Sequence, residues 1–374
     1  MRILLVCGSF PPMKCGVGDY TEKLATALAV SPEHSVGVLT RSTGTAPPEN
    51  RGYTLLPGIR RWSVMELRAA VSAITAFRPD VVHFQFPARG YGRLQWILPG
   101  ILRLRGFNVF LTLHENFEVR DARSLLTATL FFPNLLAASA VSVTIPDYAE
   151  CVPGIYRRIL RGKPVHHIPI ASNIQTVCLS GVERQEVRRK YGVVQGGDAM
   201  IAYFGFVSPP KGVEAIFEIA NPALHRIVLA CELSESDTYH RSIAERIVNP
   251  PWKGRVEVSG FLEGEEVGRL LAASDAVIIP FRQGIRAGHG SLEAAVAQGT
   301  FTLTTSRDRK GYDPKENIYF AHPGDTQEMR KALETYLATR VSRSRDHTRE
   351  KWRHIAEAHI GLYSAAQQGK DRRV

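Results

Sequence analysis

Short, nearly continuous runs of Val, Ile, Leu and Ala alternate along the chain with segments whose apolar residues recur at helical spacing. In the first half the strand-length runs are 1–7, 35–40, 80–84, 108–113 and 140–145. Between the first two runs, segment 20–30 places Leu24, Ala25 and Leu28 on one helical face. Because the runs are continuous rather than alternating, they predict parallel strands covered by helices on both faces.

The second half begins the same pattern afresh. Its strand-length runs are 199–204, 226–230, 256–259, 276–280 and 300–304, and helical segments such as 263–273 separate them. The sequence therefore predicts an α/β protein of two Rossmann-like, doubly wound domains that face each other across a cleft, where ligands usually bind. Few sustained apolar runs occur between 175 and 198, so we place the domains at 1–175 and 176–351.

Composition supports an ordinary globular protein. The chain has 374 residues, of which 44% are hydrophobic and 22% charged, values that exclude a disordered or collagen-like chain. Its five cysteines are scattered without a Cys-x-x-Cys pair, so a zinc ribbon or disulfide framework is not indicated and a cytoplasmic location is favoured. The longest uncharged stretch, 124–146, contains Pro133 and predicts a buried helix followed by a strand rather than a membrane span.

Positive charge is concentrated in the first half. The formal net charge is +11, and residues 1–175 contribute 19 basic against 11 acidic residues, a balance of +8. Such a field attracts nucleic acid, anionic lipid or a phosphorylated substrate, but no nucleic-acid-binding signature accompanies it. The segment 60–105, with its arginines and with Trp62, Trp96, Leu98 and Leu102, could dock on the inner membrane face, and ordinary amphipathic helices explain it equally well.

Gly16 and Gly18 follow the first predicted strand and lead into a helix. Glycine allows close backbone approach, and the free N–H groups of a helix start favour an anion. The spacing is not that of a dinucleotide-binding loop, so a plain turn remains the alternative.

Two further loops in the second half have anion-binding character. Lys211 lies in a Pro-Gly turn after strand 199–204, where it could face a diphosphate or simply solvent. The loop after strand 276–280 runs into another helix start. Its candidate ligand-binding residues are Arg286, His289, Gly290, Ser291, Leu292 and Glu293. Glu293 could accept a hydrogen bond from a sugar hydroxyl, or it could merely favour the helix dipole.

Five motifs, taken together, resemble one family. They are 16–18 (GVG), 113–115 (LHE), the turn 205–212, 258–262 (VSGFL) and 291–299 (SLEAAVAQG). In this order they resemble the retaining glycosyltransferases of the GT-B fold, family 4. The last motif is similar to that family's Leu-Glu-Ala-x-Ala-x-Gly block, and the resemblance covers nearly the whole chain.

The resemblance implies transfer of a sugar from a nucleotide-diphosphate donor, with the uridine nucleotide favoured over the guanosine one, to an unidentified acceptor hydroxyl. By position, Glu293 would bind the ribose, Lys211 the diphosphate, Gly16 and Gly18 the loop near it, and His114 the donor sugar. No cofactor or metal is expected, since no Asp-x-Asp occurs at a strand end. The terminal helix, 352–370, would pack back on the first domain, as in similar proteins.

The chain departs from the family pattern at two positions. Ile285 stands where the family's Glu-x7-Glu motif has its first glutamate, and Phe206 stands where many members have an arginine. Arg286 and His289 could compensate for the missing groups. The alternative is a catalytically weak sugar-nucleotide-binding subunit that supports a partner transferase.

Overall fold

The computed structural model describes residues 1–42, 51–57, 59–87, 90–114, 122–146, 148, 152, 154–285 and 289–371, with side chains for all but 122–124 and 368–371. Contacts divide the chain into two compact units. The first unit comprises 1–170 and 350–374, and the second comprises 171–349.

The first unit is built on a seven-stranded sheet. Its strands are β1 (Arg2–Val6), β2 (Ser35–Leu39), β3 (Thr54–Leu55), β4 (Val81–Phe86), β5 (Val109–Leu113), β6 (Ala140–Val143) and β7 (Val165–His167). Their spatial order is β3-β2-β1-β4-β5-β6-β7, and all neighbouring pairs are parallel. The strand order reverses direction at β1, which is where doubly wound sheets usually bind ligands.

Helices cover both faces of this sheet. They are α1 (Gly16–Leu28), α2 (Leu67–Phe77), α3 (Leu98–Leu104), α4 (Ala122–Ala137) and α5 (Gly154–Arg161). The cluster that contains Leu4, Val82 and Leu111 also contains buried residues of α2, α3, α4 and α5, so these four helices share one face. Residues of opposite parity, such as His83 and Phe110, face the other side.

The second unit repeats the plan. Its strands are β8 (Ala199–Phe204), β9 (His225–Ala230), β10 (Val256–Val258), β11 (Ala276–Ile279), β12 (Thr302–Thr305), β13 (Gly311–Asp313) and β14 (Ile318–Ala321). The order is β10-β9-β8-β11-β12-β14-β13, and only the β13–β14 pair is antiparallel among these strands. Its helices are α6 (Gly181–Lys190), α7 (Ile216–Ile219), α8 (Thr238–Val248), α9 (Gly264–Ala273), α10 (Gly290–Ala297) and α11 (Thr326–Tyr336).

The last residue of the 291–299 motif, Gly299, occupies a position that requires glycine. It follows α10 with a φ of +66°, and a Cβ there would collide with the backbone carbonyl of Val341. This glycine therefore ends a helix and makes room for a neighbouring segment, which is a structural role.

The final helix, α12 (His347–Asp371), belongs mostly to the first unit. Trp352 packs against Tyr20 of α1 with 5.0 Å between ring centroids. Further along, the Tyr20 hydroxyl lies 3.2 Å from His359 Nε2, and the Tyr363 hydroxyl lies 2.5 Å from His83 Nδ1. The helix expected at 352–370 thus packs on the side of the sheet opposite α2–α5.

All ten strand-length runs of the sequence coincide with strands, whereas β3, β7, β13 and β14 were not predicted. The unit boundary also lies five residues before the expected 175/176 junction. The reason is that Gln175 and Val177 already contact the second unit, where Gln298 donates to the Gln175 carbonyl at 3.0 Å and accepts from the Val177 N–H at 2.8 Å.

The structure revises the expectation for one apolar segment and decides between the two explanations of another. The helix expected to be buried within 124–146 is α4, and four of its leucines are exposed: Leu125, Leu126, Leu130 and Leu136. In segment 60–105, Trp62, Leu98 and Leu102 are buried in the core. These three residues therefore form the buried side of the segment and not a docking surface. No helix among the described residues is long and apolar enough to span a membrane.

Candidate functional site

The second unit brings two candidate loops together at the carboxyl ends of β8 and β11, which are neighbouring strands. Gly205, directly after β8, has a φ of +140°, and a Cβ there would lie 3.6 Å from Ser291 Cβ at the start of α10. The close approach leaves little side-chain bulk between the β8 loop and the helix start. Backbone N–H groups at such a helix start favour an anion.

Lys211 ends a short 3₁₀ turn, Pro209–Lys211, that follows Gly205. Gly212 continues the turn with a φ of +65°, and a Cβ there would collide with the carbonyl of Pro280. This tight contact holds the turn against the end of β11, and Lys211 Nζ lies 4.4 Å from the Phe281 ring centroid. The half-buried ammonium is thus fixed over an aromatic face, a favourable arrangement for a cation.

His289 immediately precedes α10 and contacts the same aromatic ring, with 4.5 Å between the His289 and Phe281 centroids. Burial, with a further contribution from the Lys211 charge, lowers the pKa of His289 to about 4. At neutral pH the His289 ring therefore carries no positive charge. The neutral ring can instead donate or accept one hydrogen bond.

The first turn of α10 carries the remaining candidates. Gly290 is exposed with open space around its Cα, and Ser291 and Glu293 are partly exposed. The Leu292 side chain, in contrast, is buried in the core with Phe281 and Ile285, so it could meet a ligand only through its backbone. Glu293 lies one turn into the helix, where its carboxylate also interacts favourably with the helix dipole.

The two departures from the family pattern differ in their surroundings. Ile285 is buried in the core and its N–H donates to the Thr305 carbonyl at 2.6 Å, so nothing at this position faces a sugar. Phe206 is 57% exposed next to Gly205. Arg286, the expected compensating residue, lies outside the described residues.

Hydrogen bonds made by neighbouring side chains hold the Lys211 turn in place. Glu214 accepts from Arg282 Nε at 2.7 Å and also accepts from the Tyr239 hydroxyl. His240 Nε2 lies 3.0 Å from the Val207 carbonyl. These contacts tie the β8 loop to α8 and to the end of β11, so the turn does not depend on Lys211 for its shape.

In the first unit, His114 follows β5 and its N–H donates to the Phe86 carbonyl at 2.7 Å. Its Nε2 lies 2.9 Å from Gln85 Oε1, and Tyr20 packs edge-on against its ring with 4.7 Å between centroids. Burial lowers the pKa of His114 to about 3. The neutral ring donates from Nε2 to Gln85, which leaves the Nδ1 lone pair as an acceptor for a hydroxyl group.

Gln85, Tyr20 and Phe281 were not selected as site residues from the sequence. Gln85 is a fully buried amide in β4, and its Nε2 has no hydrogen-bond partner among the described residues. A polar residue within the run VVHFQF is the one signal that could have indicated it. Tyr20 and Phe281 resemble ordinary core aromatics in sequence, and only their contacts with His114, Lys211 and His289 distinguish them.

The two glycines in the first turn of α1, Gly16 and Gly18, have different surroundings. A Cβ on Gly18 would lie 2.9 Å from the Ser9 carbonyl oxygen, whereas a Cβ on Gly16 would meet no atom within 4 Å. Gly18 is therefore required for packing of the helix start on the loop after β1. Gly16 is the glycine that leaves its backbone open to a ligand.

We expect Gly18→Ala to lower the free energy of unfolding by about 1–3 kcal/mol, because the added methyl overpacks a backbone contact. Gly16→Ala should leave the melting temperature unchanged and weaken binding of the nucleotide-sugar donor that the sequence resemblance implies. Urea denaturation and donor titration of both variants measure the two effects. Equal stability loss in both variants would contradict the assignment.

The described part of the chain contains no group of three or more His, Cys, Asp or Glu side chains arranged to hold a metal ion. Four cysteines in it are free: Cys7, Cys15, Cys178 and Cys231. Burial raises the pKa of Cys7 to about 12, so this thiol is not activated as a nucleophile.

Solved structures share this architecture over its whole length. HepE of Anabaena, solved in complex with UDP and glucose, is 16% identical, with a TM-score of 0.66 and coverage of 100% of this chain and 99% of its own. Sucrose-phosphate synthase of Thermosynechococcus elongatus is 18% identical, with a TM-score of 0.67 and coverage of 100% and 98%. The chain has the GT-B fold.

A third structure extends the comparison to another nucleotide. The catalytic domain of starch synthase IV from Arabidopsis thaliana, bound to ADP and acarbose, is 14% identical with a TM-score of 0.65, covering 99% of this chain and 98% of its own. No family model matches the chain, and no curated protein sequence matches it. At these identities the comparisons establish the GT-B fold, and the reaction must be argued from the site.

Proposed function

We propose that the protein is a retaining, metal-independent glycosyltransferase that moves a sugar from a nucleotide-diphosphate donor, with a UDP-sugar favoured, to an acceptor hydroxyl. The observation that carries the proposal is the cluster at the carboxyl ends of β8 and β11. There Lys211 and His289 share the Phe281 ring beside the start of α10, and Glu293 lies one turn further on. A cation, free backbone donors and a carboxylate match a diphosphate joined to a ribose.

In this proposal the bond between the anomeric carbon and the diphosphate oxygen breaks, and its electron pair leaves with the diphosphate. The acceptor oxygen forms the new bond on the same face of the sugar and gives its proton to the departing phosphate oxygen. Lys211 and the N–H groups of α10 stabilise the negative charge that develops on the leaving group. Glu293 holds the ribose hydroxyls, and the protein contributes positioning rather than a nucleophile.

The first unit would bind the acceptor and supply His114. Because Gln85 holds the Nε2–H of His114, the free Nδ1 can accept a hydrogen bond from a donor-sugar hydroxyl. The low pKa of His114 keeps this acceptor available throughout the neutral range.

A second candidate function rests on the two positions, 285 and 206, where the chain departs from the family pattern. Ile285 is a core residue and Phe206 presents a ring where many similar enzymes have an arginine, so contacts to the sugar and to the phosphate are missing from these positions. A binding subunit of another transferase would retain the nucleotide site and lack turnover.

Thermal shift with UDP, GDP, ADP and their glucose conjugates tests the binding step, because a ligand that binds only the folded state raises the melting temperature. We expect one nucleotide family to stabilise the protein and Glu293→Ala to abolish that shift. Donor hydrolysis by the purified chain then separates the candidates, since a binding subunit binds the donor and does not hydrolyse it. Absence of any nucleotide-dependent shift would reject both.

We expect turnover to continue in excess EDTA, because Lys211 and backbone N–H groups serve the diphosphate in place of a cation. Rates with the chelator, and after addition of Mg²⁺ or Mn²⁺, check this directly. Activity that is lost in EDTA and restored by either ion would show that a metal takes part.

A further inference from the structure

The outward side of α4 is uncharged and mostly aliphatic, with two threonines, Thr127 and Thr129, also exposed on the helix. Four leucines on it are 42–59% exposed: Leu125, Leu126, Leu130 and Leu136. The inward residues Ala128, Phe131 and Leu135 are buried in the core, and no charged residue occurs from 124 to 146. A surface helix normally places charged or polar residues opposite its buried stripe. We call this set of exposed leucines the α4 face.

The helices that neighbour α4 also carry exposed aliphatic residues. Helices α3 and α5 pack on α4, and each contributes one further exposed aliphatic residue, Leu104 and Ile155. The 16 residues of α4 give the helix a length of about 24 Å. Exposed aliphatic side chains thus lie along α4 and on both helices that pack against it.

Two cations lie at the carboxyl end of this surface. Lys163 Nζ donates to the carbonyl oxygens of Leu136 at 3.1 Å and Ala138 at 2.5 Å, and Arg103 donates to Ser139 Oγ at 3.4 Å. Burial, with a further contribution from Arg103, lowers the pKa of Lys163. Both side chains are thus held beside the last turn of α4.

More positive charge surrounds them, since Arg105, Arg158 and Arg161 are exposed on the adjoining ends of α3 and α5. The acidic residues between 81 and 172 are Glu115, Glu118, Asp121, Asp147 and Glu150, all outside the described residues. None of these five basic residues forms an ion pair with a carboxylate in the described part of the chain.

We propose that the α4 face docks on an anionic lipid membrane, with the leucines entering the acyl boundary and the basic end contacting lipid phosphates. The chemistry favours lipid over protein, because the exposed apolar groups are aliphatic whereas protein interfaces concentrate aromatic anchors. A helix lying in the membrane plane needs an apolar face with basic residues beside it. The surface lies on the face of α2–α5, so the proposal does not depend on the chemistry proposed for the second unit.

Flotation of the full chain with vesicles tests the proposal. We expect binding to phosphatidylcholine vesicles containing roughly 30% phosphatidylglycerol, no binding to pure phosphatidylcholine, and weakening by added salt. Leu126→Glu with Leu130→Glu should reduce binding on the order of 10-fold or more. The matched control is Leu224→Glu with Val248→Glu, which changes two leucine- or valine-type positions that are 60% and 62% exposed in the second unit.

The basic end is tested separately. Arg158→Gln with Arg161→Gln should reduce vesicle binding on the order of 10-fold, because each basic residue near an anionic surface contributes favourably. Arg189→Gln with Lys253→Gln removes the same two charges from exposed positions of the second unit and should change binding little. Melting temperature and nucleotide-induced thermal shift should stay at wild-type values in all four variants.

Several results would overturn the proposal. Absence of binding, equal binding to neutral and anionic vesicles, or equal losses in the control variants would each do so. Light scattering adds another: a wild-type dimer that becomes monomeric in Leu126→Glu with Leu130→Glu would mean that a second copy covers the α4 face. If the glutamate pair destabilises the fold, Leu125→Gln with Leu136→Gln provides the milder test, and wild-type vesicle binding by that pair would reject the assignment.

Discussion

Lys211→Met is expected to lower kcat/KM on the order of 100-fold while the melting temperature changes by only a few degrees. The loss follows because Lys211 is the described cation beside the start of α10, and removal of one preorganised donor to a developing oxyanion typically costs about 2.7–4 kcal/mol of transition-state stabilisation. Stability changes little, since methionine keeps the packing on Phe281 and the cation–π contact of a half-buried lysine contributes only about 1 kcal/mol. Steady-state kinetics and thermal melts of the same preparation measure both quantities.

The control for Lys211→Met is Lys190→Met, which removes an equal charge from α6, where Lys190 is exposed and pairs with Glu266 at 3.3 Å. Its kinetics should match wild type. If Lys211 serves only to pack on Phe281, Lys211→Met will retain wild-type kcat/KM, and the proposed leaving-group role is wrong.

A variant of Arg286 provides a second test of how the leaving diphosphate is bound. From the sequence we expect Arg286→Lys to lower kcat/KM on the order of 10-fold, because a guanidinium fork can hold two phosphate oxygens and an ammonium cannot. Combined with Lys211→Met, the losses should couple rather than add if both residues contact one phosphate. Wild-type kinetics for Arg286→Lys would remove the compensation argument and strengthen the binding-subunit candidate.

The sequence predicted the parallel core because those strands are continuous apolar runs. Such runs are typical of parallel strands that are buried on both faces. It missed β3 and β7 because Thr54–Leu55 and Val165–His167 are too short and polar to form a pattern. It also treated the leucines of α4 as core, because hydrophobicity alone does not distinguish a residue facing the sheet from one facing out.

For the candidate site, the sequence indicated the loops but not the contacts between them. Loops that follow strands were identifiable, since the carboxyl ends of parallel strands share one edge of a sheet. The meeting of Lys211 with Phe281 was not, because 70 residues separate them and the contact depends on Gly212 packing under the Pro280 carbonyl. The charge state of His289 could not be predicted for a related reason: its burial arises from tertiary packing that local sequence does not encode.

Acid should unfold the first unit, because three of its histidines are buried in neutral form. His83, His114 and His359 have hydroxyl groups, an amide and aromatic rings as their described partners. Burial is the largest cause that lowers their pKa values, to about 3 for His114 and His359 and well below the usual 6.5 for His83. The unfolded chain therefore binds more protons than the folded one below pH 6.5, and the free energy of unfolding falls as pH falls.

Each such histidine costs about 1.4 kcal/mol of stability per pH unit within the window from pH 6.5 to about 3. His114 and His359 together thus remove about 5 kcal/mol between pH 6.5 and roughly 4.5, comparable to the whole stability of many domains. Asp19 acts in the opposite direction, because burial raises its pKa to about 6 and the folded state gains that proton first, which offsets part of the loss.

Urea denaturation at several pH values, followed by circular dichroism, measures this dependence. We expect His359→Phe to reduce the slope of unfolding free energy against pH by one histidine's contribution, whatever its stability at pH 7. His354→Phe, an exposed position on the same helix α12, should leave the slope unchanged. Only a group whose pKa differs between the folded and unfolded states makes the free energy of unfolding depend on pH. A wild-type urea midpoint that stays constant between pH 7 and 5, or an equal change of slope in both variants, would therefore show that the buried histidines do not control acid stability.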